Sequence, residues 1–312
     1  MGCNNLEGHF DHHFYEICDM FPSMHSMVPD TCFETNFRLI YKYIKRVKNF
    51  KDVDTFRRHA KPFGVKLDPF GIGNGKTATG STYRPIEETC PTTCEFRDNG
   101  CLAQLYRVNA VQKRSSSNAL RQAFTASAAA LVSINLEKKY KDTLGIKGRK
   151  YKNRARMHVS GDFLKHGSID IEYIIYLCFI GIVIQSIKDV EVVGFGYSHC
   201  GDDIKPYLHP LKMCGFHFRL SGDVSSVGAV TIPSFEYLPM IKASLKEEGI
   251  KAIGCPEQLY PEKDITCATC HLCYKTDNVD RLIIFQAHGN HLNYSMIQES
   301  SIIHLNKFGL FN

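Results

Sequence analysis

Two clusters of cysteine residues could do chemistry in this chain, which has 312 residues and 13 cysteines. The first is Cys90-Pro-Thr-Thr-Cys94 followed by Cys101, and the second is Cys267-Ala-Thr-Cys270-His-Leu-Cys273 with Cys255 upstream. Thiolates two or three residues apart can converge on one metal ion or cluster without straining the backbone. Disulfides do not need such spacing. The pattern therefore indicates a metalloprotein.

The second cluster offers four thiolates, which is enough for a complete metal site. Zinc ribbons usually supply two separate cysteine pairs, whereas three closely spaced thiolates plus a remote one are more typical of a [4Fe–4S] cluster. Cys255, Cys267, Cys270 and Cys273 are therefore predicted metal ligands, with iron–sulfur favoured over zinc. His271 lies inside the motif, and we interpret it as a loop histidine and not as a ligand.

The first cluster offers only three thiolates, from Cys90, Cys94 and Cys101. Three cysteines leave one iron of a cubane open to an external ligand, and in radical S-adenosylmethionine enzymes the cofactor takes that place. Those enzymes usually have the spacing Cys-x3-Cys-x2-Cys, and this chain departs from it in the second gap. Alternatively, a fourth ligand from Cys200, Cys214 or a histidine closes the site and makes it structural.

A tripeptide that occurs twice adds candidate catalytic residues. The sequence Ser160-Gly-Asp162 follows one predicted strand and Ser221-Gly-Asp223 follows another. Functional groups of α/β barrels lie at the carboxyl ends of the strands. We therefore expect these four side chains near one face of the protein, lining a cofactor or substrate pocket. Two ordinary Gly-Asp turns would give the same pattern.

The elements that must position these residues form an α/β pattern in the second half of the chain. Strands that are apolar on both faces alternate with helices, which is typical of parallel strands covered by helices. We predict a barrel or partial barrel of mostly parallel strands over residues 71–312, after an N-terminal helical extension over residues 1–70. Ser168 is predicted to cap a buried helix that runs to Ile187. The predicted strands cover 156–160, 190–197, 215–220, 227–232, 250–254 and 281–286.

Composition and charge limit the class of protein. Hydrophobic residues make up 44% of the chain and charged residues 22%, as in a soluble globular protein. The N-terminus has no secretory pattern and no apolar run is long enough to span a bilayer, so a cytoplasmic protein is predicted. Residues 38–66 hold ten Lys and Arg against two Asp, and residues 138–156 hold nine against one. These segments predict a polyanionic partner, nucleic acid or a nucleotide, unless they are solvated helix faces.

At these residues the chain resembles a family of phage-encoded proteins with the gene product eighty-eight type domain. The matching landmarks cover roughly residues 72–290. They are Asn74-x-Lys76-Thr, Thr-Cys90-Pro-x2-Cys94, Asn-Gly-Cys101, Arg156-x-His158-x-Ser160-Gly-Asp162-Phe163, Cys255-Pro-Glu-Gln and Cys267-x2-Cys270-x-Leu-Cys273. Family members often have Tyr-Ala after the third cysteine, where this chain has Leu102-Ala103. The resemblance adds Asn74 and Lys76 as candidate cofactor-binding residues and implies a location in the host cytoplasm.

The chain is also similar in outline to radical S-adenosylmethionine barrels, with a three-cysteine loop after the first strand and a second cysteine cluster near the C-terminal end. This similarity implies an iron–sulfur enzyme that uses S-adenosylmethionine, here acting on nucleic acid or a nucleotide. The alternative is a non-enzymatic protein, stabilised by zinc, that binds nucleic acid or a host factor. A metal-dependent hydrolase using Asp162 and Asp223 as ligands is a third hypothesis.

Overall fold

The computed structural model describes the part of the chain that carries both cysteine clusters. The described residues are 12, 15–17, 19–21, 80–94, 96–97, 101, 104, 154–185, 193–225, 228–263, 265–274, 281–287 and 306. The basic segment 38–66, most of the segment 138–156, Asn74 and Lys76 lie outside the described residues. The predicted partner interactions and cofactor contacts at those positions therefore stay predictions.

A seven-stranded sheet forms the centre of the described fold, and all of its adjacent strands run parallel. The order across the sheet is β1-β2-β5-β6-β7-β9-β8, with β9 inserted between β7 and β8. This arrangement confirms the predicted α/β class with mostly parallel strands. The strands are β1 Gly80–Tyr83, β2 Arg154–Ser160, β5 Val193–Ser198, β6 Phe216–Ser221, β7 Gly228–Ile232, β8 Lys251–Gly254 and β9 Arg281–Gln286.

The helices connect these strands as crossover elements. They are α1 Ile86–Thr89, α2 Ile171–Gln185, α3 Lys205–Met213, α4 Leu238–Glu247, α5 Pro256–Leu259 and α6 Cys267–Cys270. Short 3-10 helices precede α3 at Gly201–Ile204 and α4 at Phe235–Tyr237, and a third follows α5 at Pro261–Lys263. The helix α2 is apolar all round and almost wholly buried, as its sequence predicts.

The two faces of the sheet differ. On one face, Phe216, Phe218 and Leu220 of β6 pack against α2 and α3, and Val230 and Ile232 of β7 pack against α4. On the other face, residues of β5, β7 and β9 are covered by a loop segment that contains Cys270, Leu272 and Cys273; they are Tyr197, Ala229, Ile283 and Phe285. Because side chains alternate along a strand, the apolar helices and the cysteine-rich loop use opposite faces.

A hairpin between β2 and α2 corrects one local prediction. Ser168 does not cap the helix, because it lies in β4 (Ser168–Ile169), which pairs antiparallel with β3 (Leu164–Lys165). The cap role belongs to Asp170, whose carboxylate accepts a hydrogen bond from Tyr173 N at 3.1 Å. The helix therefore begins two residues after the hairpin, at Ile171.

Part of the N-terminal region belongs to the main core. Ile17 and Phe21 are buried in the same core cluster as α2, so part of the N-terminal region packs against the main sheet. Within the described residues, no helix combines the length and apolar character needed to cross a membrane. The strands β1 and β8 form the two edges of the sheet.

Candidate metal centre

The first group of thiols gathers beyond the carboxyl ends of β1 and β5. Cys90 directly follows α1, and its backbone N–H donates to Ile86 O at 3.0 Å. Burial raises the pKa of Cys90, and nearby Asp162, Cys94, Cys101 and Cys200 raise it further. Cys200 is thus the fourth thiol at this place, and we call Cys90, Cys94, Cys101 and Cys200 the first thiol group.

Asp162 holds this corner of the sheet together. Its carboxylate is 1% exposed and accepts hydrogen bonds from Phe163 N at 2.9 Å, Ser198 Oγ at 2.7 Å and His199 N at 2.6 Å. Its backbone N–H donates to Thr89 Oγ1 at 2.9 Å. One aspartate therefore links the ends of β2 and β5 to the helix that leads into Cys90.

Arg84 and Ser160 complete the link between β1 and β2. Ser160 Oγ donates to Arg84 O at 3.0 Å, and the Arg84 guanidinium donates to Asp162 O and to Asp170 Oδ2, both at 2.6 Å. The guanidinium also lies 3.9 Å from the centroid of the Tyr173 ring. The Arg84–Asp170 ion pair is nearly inaccessible to water. The buried positive charge of Arg84 is therefore paired with a buried carboxylate inside the fold.

His199 joins Asp162 to the first thiol group. Its Nδ1 lies 3.8 Å from Asp162 Oδ2. Burial lowers the pKa of His199, but its favourable interactions with Asp162 and Cys94 outweigh burial and bring the pKa to about 10. Burial raises the pKa of Cys94, but the interaction with His199 brings it below its ordinary value. His199 Nε2 is buried and makes no hydrogen bond to any described residue.

The second group of thiols is anchored by strands β8 and β9. Cys255 directly follows β8, and its backbone N–H donates to Ile284 O at 2.7 Å. The side chain of Gln258 continues the hydrogen bonding of β9 beyond the end of β8. Its amide accepts from Gln286 N at 2.9 Å and donates to Gln286 O at 3.1 Å. This side-chain ladder gives a structural reason for the sequence Cys255-Pro-Glu-Gln258.

The three closely spaced cysteines follow in α6 and the turn after it. Thr266 N donates to Thr269 Oγ1 at 3.0 Å, which caps the short helix. His271 has a φ of 64° and ends it, and Tyr274 Oη donates to Cys267 O at 3.0 Å. This turn brings the three thiols together against the sheet.

The thiols of Cys255, Cys267, Cys270 and Cys273 lie close enough to affect one another's ionisation, and we call them the second thiol group. Burial raises the pKa of Cys255 and of Cys267 to about 12, and negative charge on Cys273 adds to both shifts. Burial also raises the pKa of Cys270 and Cys273. The four thiols are therefore protonated near neutral pH in the metal-free protein.

The donor sets of both groups fit a thiophilic metal. Four cysteine sulfurs are the donor set of structural zinc sites and of iron–sulfur clusters. Within the described residues, however, no three Cys, His, Asp or Glu side chains are already arranged to hold a metal ion. Binding would therefore require the thiols to lose their protons and the cysteine side chains to adjust.

The second Ser-Gly-Asp sequence has different surroundings from the first. Both follow a strand of the same sheet at its carboxyl end, β2 for Asp162 and β6 for Asp223. Asp223 is only partly buried; its Oδ1 accepts from Ser225 N at 2.7 Å and its Oδ2 lies 3.6 Å from Lys205 Nζ. Ser221 lies at the end of β6 and is partly buried. Within the part of the chain that the structure describes, no hydrogen bond or ion pair joins Asp162 to Asp223. The catalytic roles of the two Ser and two Asp residues stay predictions.

Two residues named as ligand alternatives in the sequence are separated by the fold. Cys200 joins the first thiol group, whereas Cys214 is buried beside Cys178, with its Sγ 3.8 Å from Met20 Sδ. Sequence reasoning did not single out His199 or Arg84. Their signals were present, because His199 directly precedes Cys200 after a predicted strand and Arg84 lies just ahead of the first cysteine cluster.

Comparison of the chain with protein-family models, with curated proteins and with solved structures finds no match. The resemblances described from the sequence motifs therefore stay predictions.

Proposed function

We propose that this chain is an iron–sulfur α/β protein that holds one cluster on the first thiol group and another on the second. The observation that carries the proposal is the gathering of two sets of four thiols on one parallel sheet. The first group lies beyond the carboxyl ends of β1 and β5, where ligands and cofactors of α/β folds bind. The second group starts at the carboxyl end of β8 with Cys255 and continues over one face of the sheet. Both sets combine residues that are remote in sequence, such as Cys90 with Cys200 and Cys255 with Cys273.

For the first group we propose radical S-adenosylmethionine-like chemistry on nucleic acid or a nucleotide. In this proposal Cys90, Cys94 and Cys101, which follow β1, hold the cluster, and Cys200 lies beside it without being a ligand. The sheet would be part of a partial barrel. An iron–sulfur cluster with S-adenosylmethionine, when bound, supplies radical chemistry. The residues of the chain bind and orient: Asp162 fixes the strand ends, and the basic segments 38–66 and 138–156 attract the polyanionic substrate. Asn74, Lys76, Ser160, Ser221 and Asp223 are proposed to line the cofactor or substrate site.

Metal analysis of protein purified without oxygen tests the proposal. We expect about eight irons and eight acid-labile sulfides per chain, the content of two cubane clusters. Cys94→Ala and Cys267→Ala should each remove about half of the iron, while Cys178→Ala serves as the control because Cys178 belongs to neither thiol group. Colourless protein without sulfide would refute the iron–sulfur assignment.

A second candidate function is that of a zinc-stabilised protein that binds nucleic acid or a host factor. The observation in its favour is Cys200, because a fourth thiol beside Cys90 can close the site and leave no open position for a cofactor. Cys200→Ala separates the two candidates. Retention of metal at the first group together with S-adenosylmethionine binding favours the enzyme. Loss of one zinc ion, with nucleic-acid affinity that falls steeply as salt rises, favours the binding protein.

A further inference from the structure

The sheet face beneath the second thiol group contains polar and charged side chains that the proposed cluster ligands do not explain. Tyr197 of β5 lies on this face, and its hydroxyl is 2.9 Å from Cys273 Sγ. The Tyr197 ring packs edge-on against Phe285, with centroids 5.3 Å apart. The hydroxyl is therefore directed at one thiol by a ring that packs against Phe285 of β9.

Arg156 of β2 lies on the other side of Tyr197. Its Cζ is 4.4 Å from the Tyr197 ring centroid and 5.8 Å from the Phe195 ring centroid. Its Nε is buried and makes no hydrogen bond to any described residue. Arg156 is partly buried, and a guanidinium that is partly withdrawn from water is favoured by a negative charge nearby. The position of Arg156 therefore suits an anion at this face of the sheet.

Arg219 of β6 supplies a second guanidinium at the same face. It is 6% exposed, and its Nη1 donates to Arg281 O at 2.8 Å and to Gly228 O at 3.4 Å. Backbone carbonyls of β7 and β9 thus fix the position of this charge. Arg219 is the register partner of Tyr197 on the adjacent parallel strand, so its side chain leaves the sheet on the same face as the Tyr197 ring, whose hydroxyl contacts Cys273.

We infer that Tyr197, Arg156 and Arg219 form a charge-balancing cradle for a dianionic metal–tetrathiolate group on the second thiol group. This inference rests on the proposed function. A divalent ion with four thiolate ligands carries two net negative charges, and so does an oxidised [4Fe–4S] cluster with four thiolate ligands. Two guanidiniums balance this charge. The Tyr197 hydroxyl donates to the Cys273 thiolate, which fixes the orientation of that ligand. Outer-shell partners of this kind change metal affinity by about 10- to 100-fold.

Cobalt titration of the full-length protein tests the cradle without relying on activity. Co²⁺ bound to thiolates absorbs through charge transfer, and a competing chelator gives its affinity. The signal of the second group is the difference between the unaltered chain and Cys267→Ala. We expect Tyr197→Phe to weaken Co²⁺ binding about 10-fold and Arg156→Gln about 10- to 100-fold. Tyr207→Phe and Lys246→Gln are matched controls away from the site and should not change it.

Arg219 also ties backbone groups together, so Arg219→Gln alone could act by loosening the fold. Arg219→Lys keeps the positive charge, and it should bind Co²⁺ more tightly than Arg219→Gln if charge is the cause. If the unaltered chain binds Co²⁺ and the Tyr197 and Arg156 variants bind it with the same affinity, the cradle is overturned and the proposed function still stands. Absence of a thiolate–Co²⁺ signal dependent on Cys267 would overturn both.

Discussion

Replacing Asp162 with asparagine tests whether this residue organises the first thiol group. Its two carboxylate oxygens accept from Phe163 N, Ser198 Oγ and His199 N at 2.6 to 2.9 Å. An asparagine can accept at only one of the two positions, so at least one of these donors must face an NH₂ group. A hydrogen bond to a charged group is worth about 1.5–3 kcal/mol, and a buried unsatisfied donor costs about 1–3 kcal/mol. We therefore expect Asp162→Asn to lower the free energy of unfolding by about 3–5 kcal/mol.

The same substitution at Asp223 is the matched control, because Asp223 is also the last residue of a Ser-Gly-Asp sequence at the end of a strand. Asp223 Oδ1 accepts from Ser225 N, and an asparagine oxygen can keep that bond. The remaining contact is with Lys205, whose side chain is 47% exposed. An exposed ion pair contributes about 0–1 kcal/mol. We therefore expect Asp223→Asn to cost about 1 kcal/mol or less.

Urea unfolding of both variants, followed by circular dichroism at pH 7, measures the two free energies. Metal content measured on the same samples adds a second readout, since Asp162→Asn should reduce metal at the first thiol group and leave the second group loaded. Equal destabilisation by the two substitutions would refute the organising role of Asp162. Full metal content in both variants would also rule out a hydrolase that uses these two carboxylates as metal ligands.

Two more predictions concern β2 and the turns that follow it. Burial and the charge of Arg84 lower the pKa of His158 to about 3, so protonation of the unfolded chain below its ordinary pKa of 6.5 favours unfolding; stability should be full above that pH and about 2 kcal/mol lower at pH 5. His158→Gln should flatten this part of the pH–stability curve in urea titrations, and an unchanged slope would contradict the assignment. Gly161→Ala should cost about 3–5 kcal/mol, because φ is 77° and an added Cβ would lie 2.5 Å from Arg84 Cβ. Gly167→Ala, with φ of 82° and open space around it, should lose only about 1–2 kcal/mol; similar melting temperatures for the two variants would disprove the packing argument.

The sequence was sufficient for the α/β class and for most strand positions. The predicted strand 281–286 agrees with β9, and the others agree within a few residues. This succeeded because parallel strands buried on both faces appear as continuous apolar runs. The hairpin at Ser168 was missed because its strands are only two residues long, too short for any periodicity to appear. The position of β9 between β7 and β8 depends on tertiary packing, which local patterns do not encode.

The candidate site was predictable only where its members are close in sequence. Cys267, Cys270 and Cys273 share a motif, so their association follows from spacing alone. For the first group, the sequence left Cys200, Cys214 or a histidine as possible fourth ligands. The fold separates them because Cys200 follows the carboxyl end of β5, whereas Cys214 precedes β6 at the opposite end of the strands. The cradle residues Tyr197, Arg156 and Arg219 lie on three strands, and their meeting required the sheet.

The insertion of β9 between β7 and β8 has a consequence for the order in which the nascent chain assembles. Within the described residues, β8 pairs only with β9, so Cys255 has no place on the sheet until residues 281–286 have been synthesised. The first thiol group needs nothing beyond β5, since Cys200 is its last member. A chain emerging from the ribosome can thus complete the first site while the second is still without its supporting strand. Under the proposed function, the two thiol groups would therefore become able to bind metal at different times during translation, and a truncation after β7 should keep the first group and lose the second.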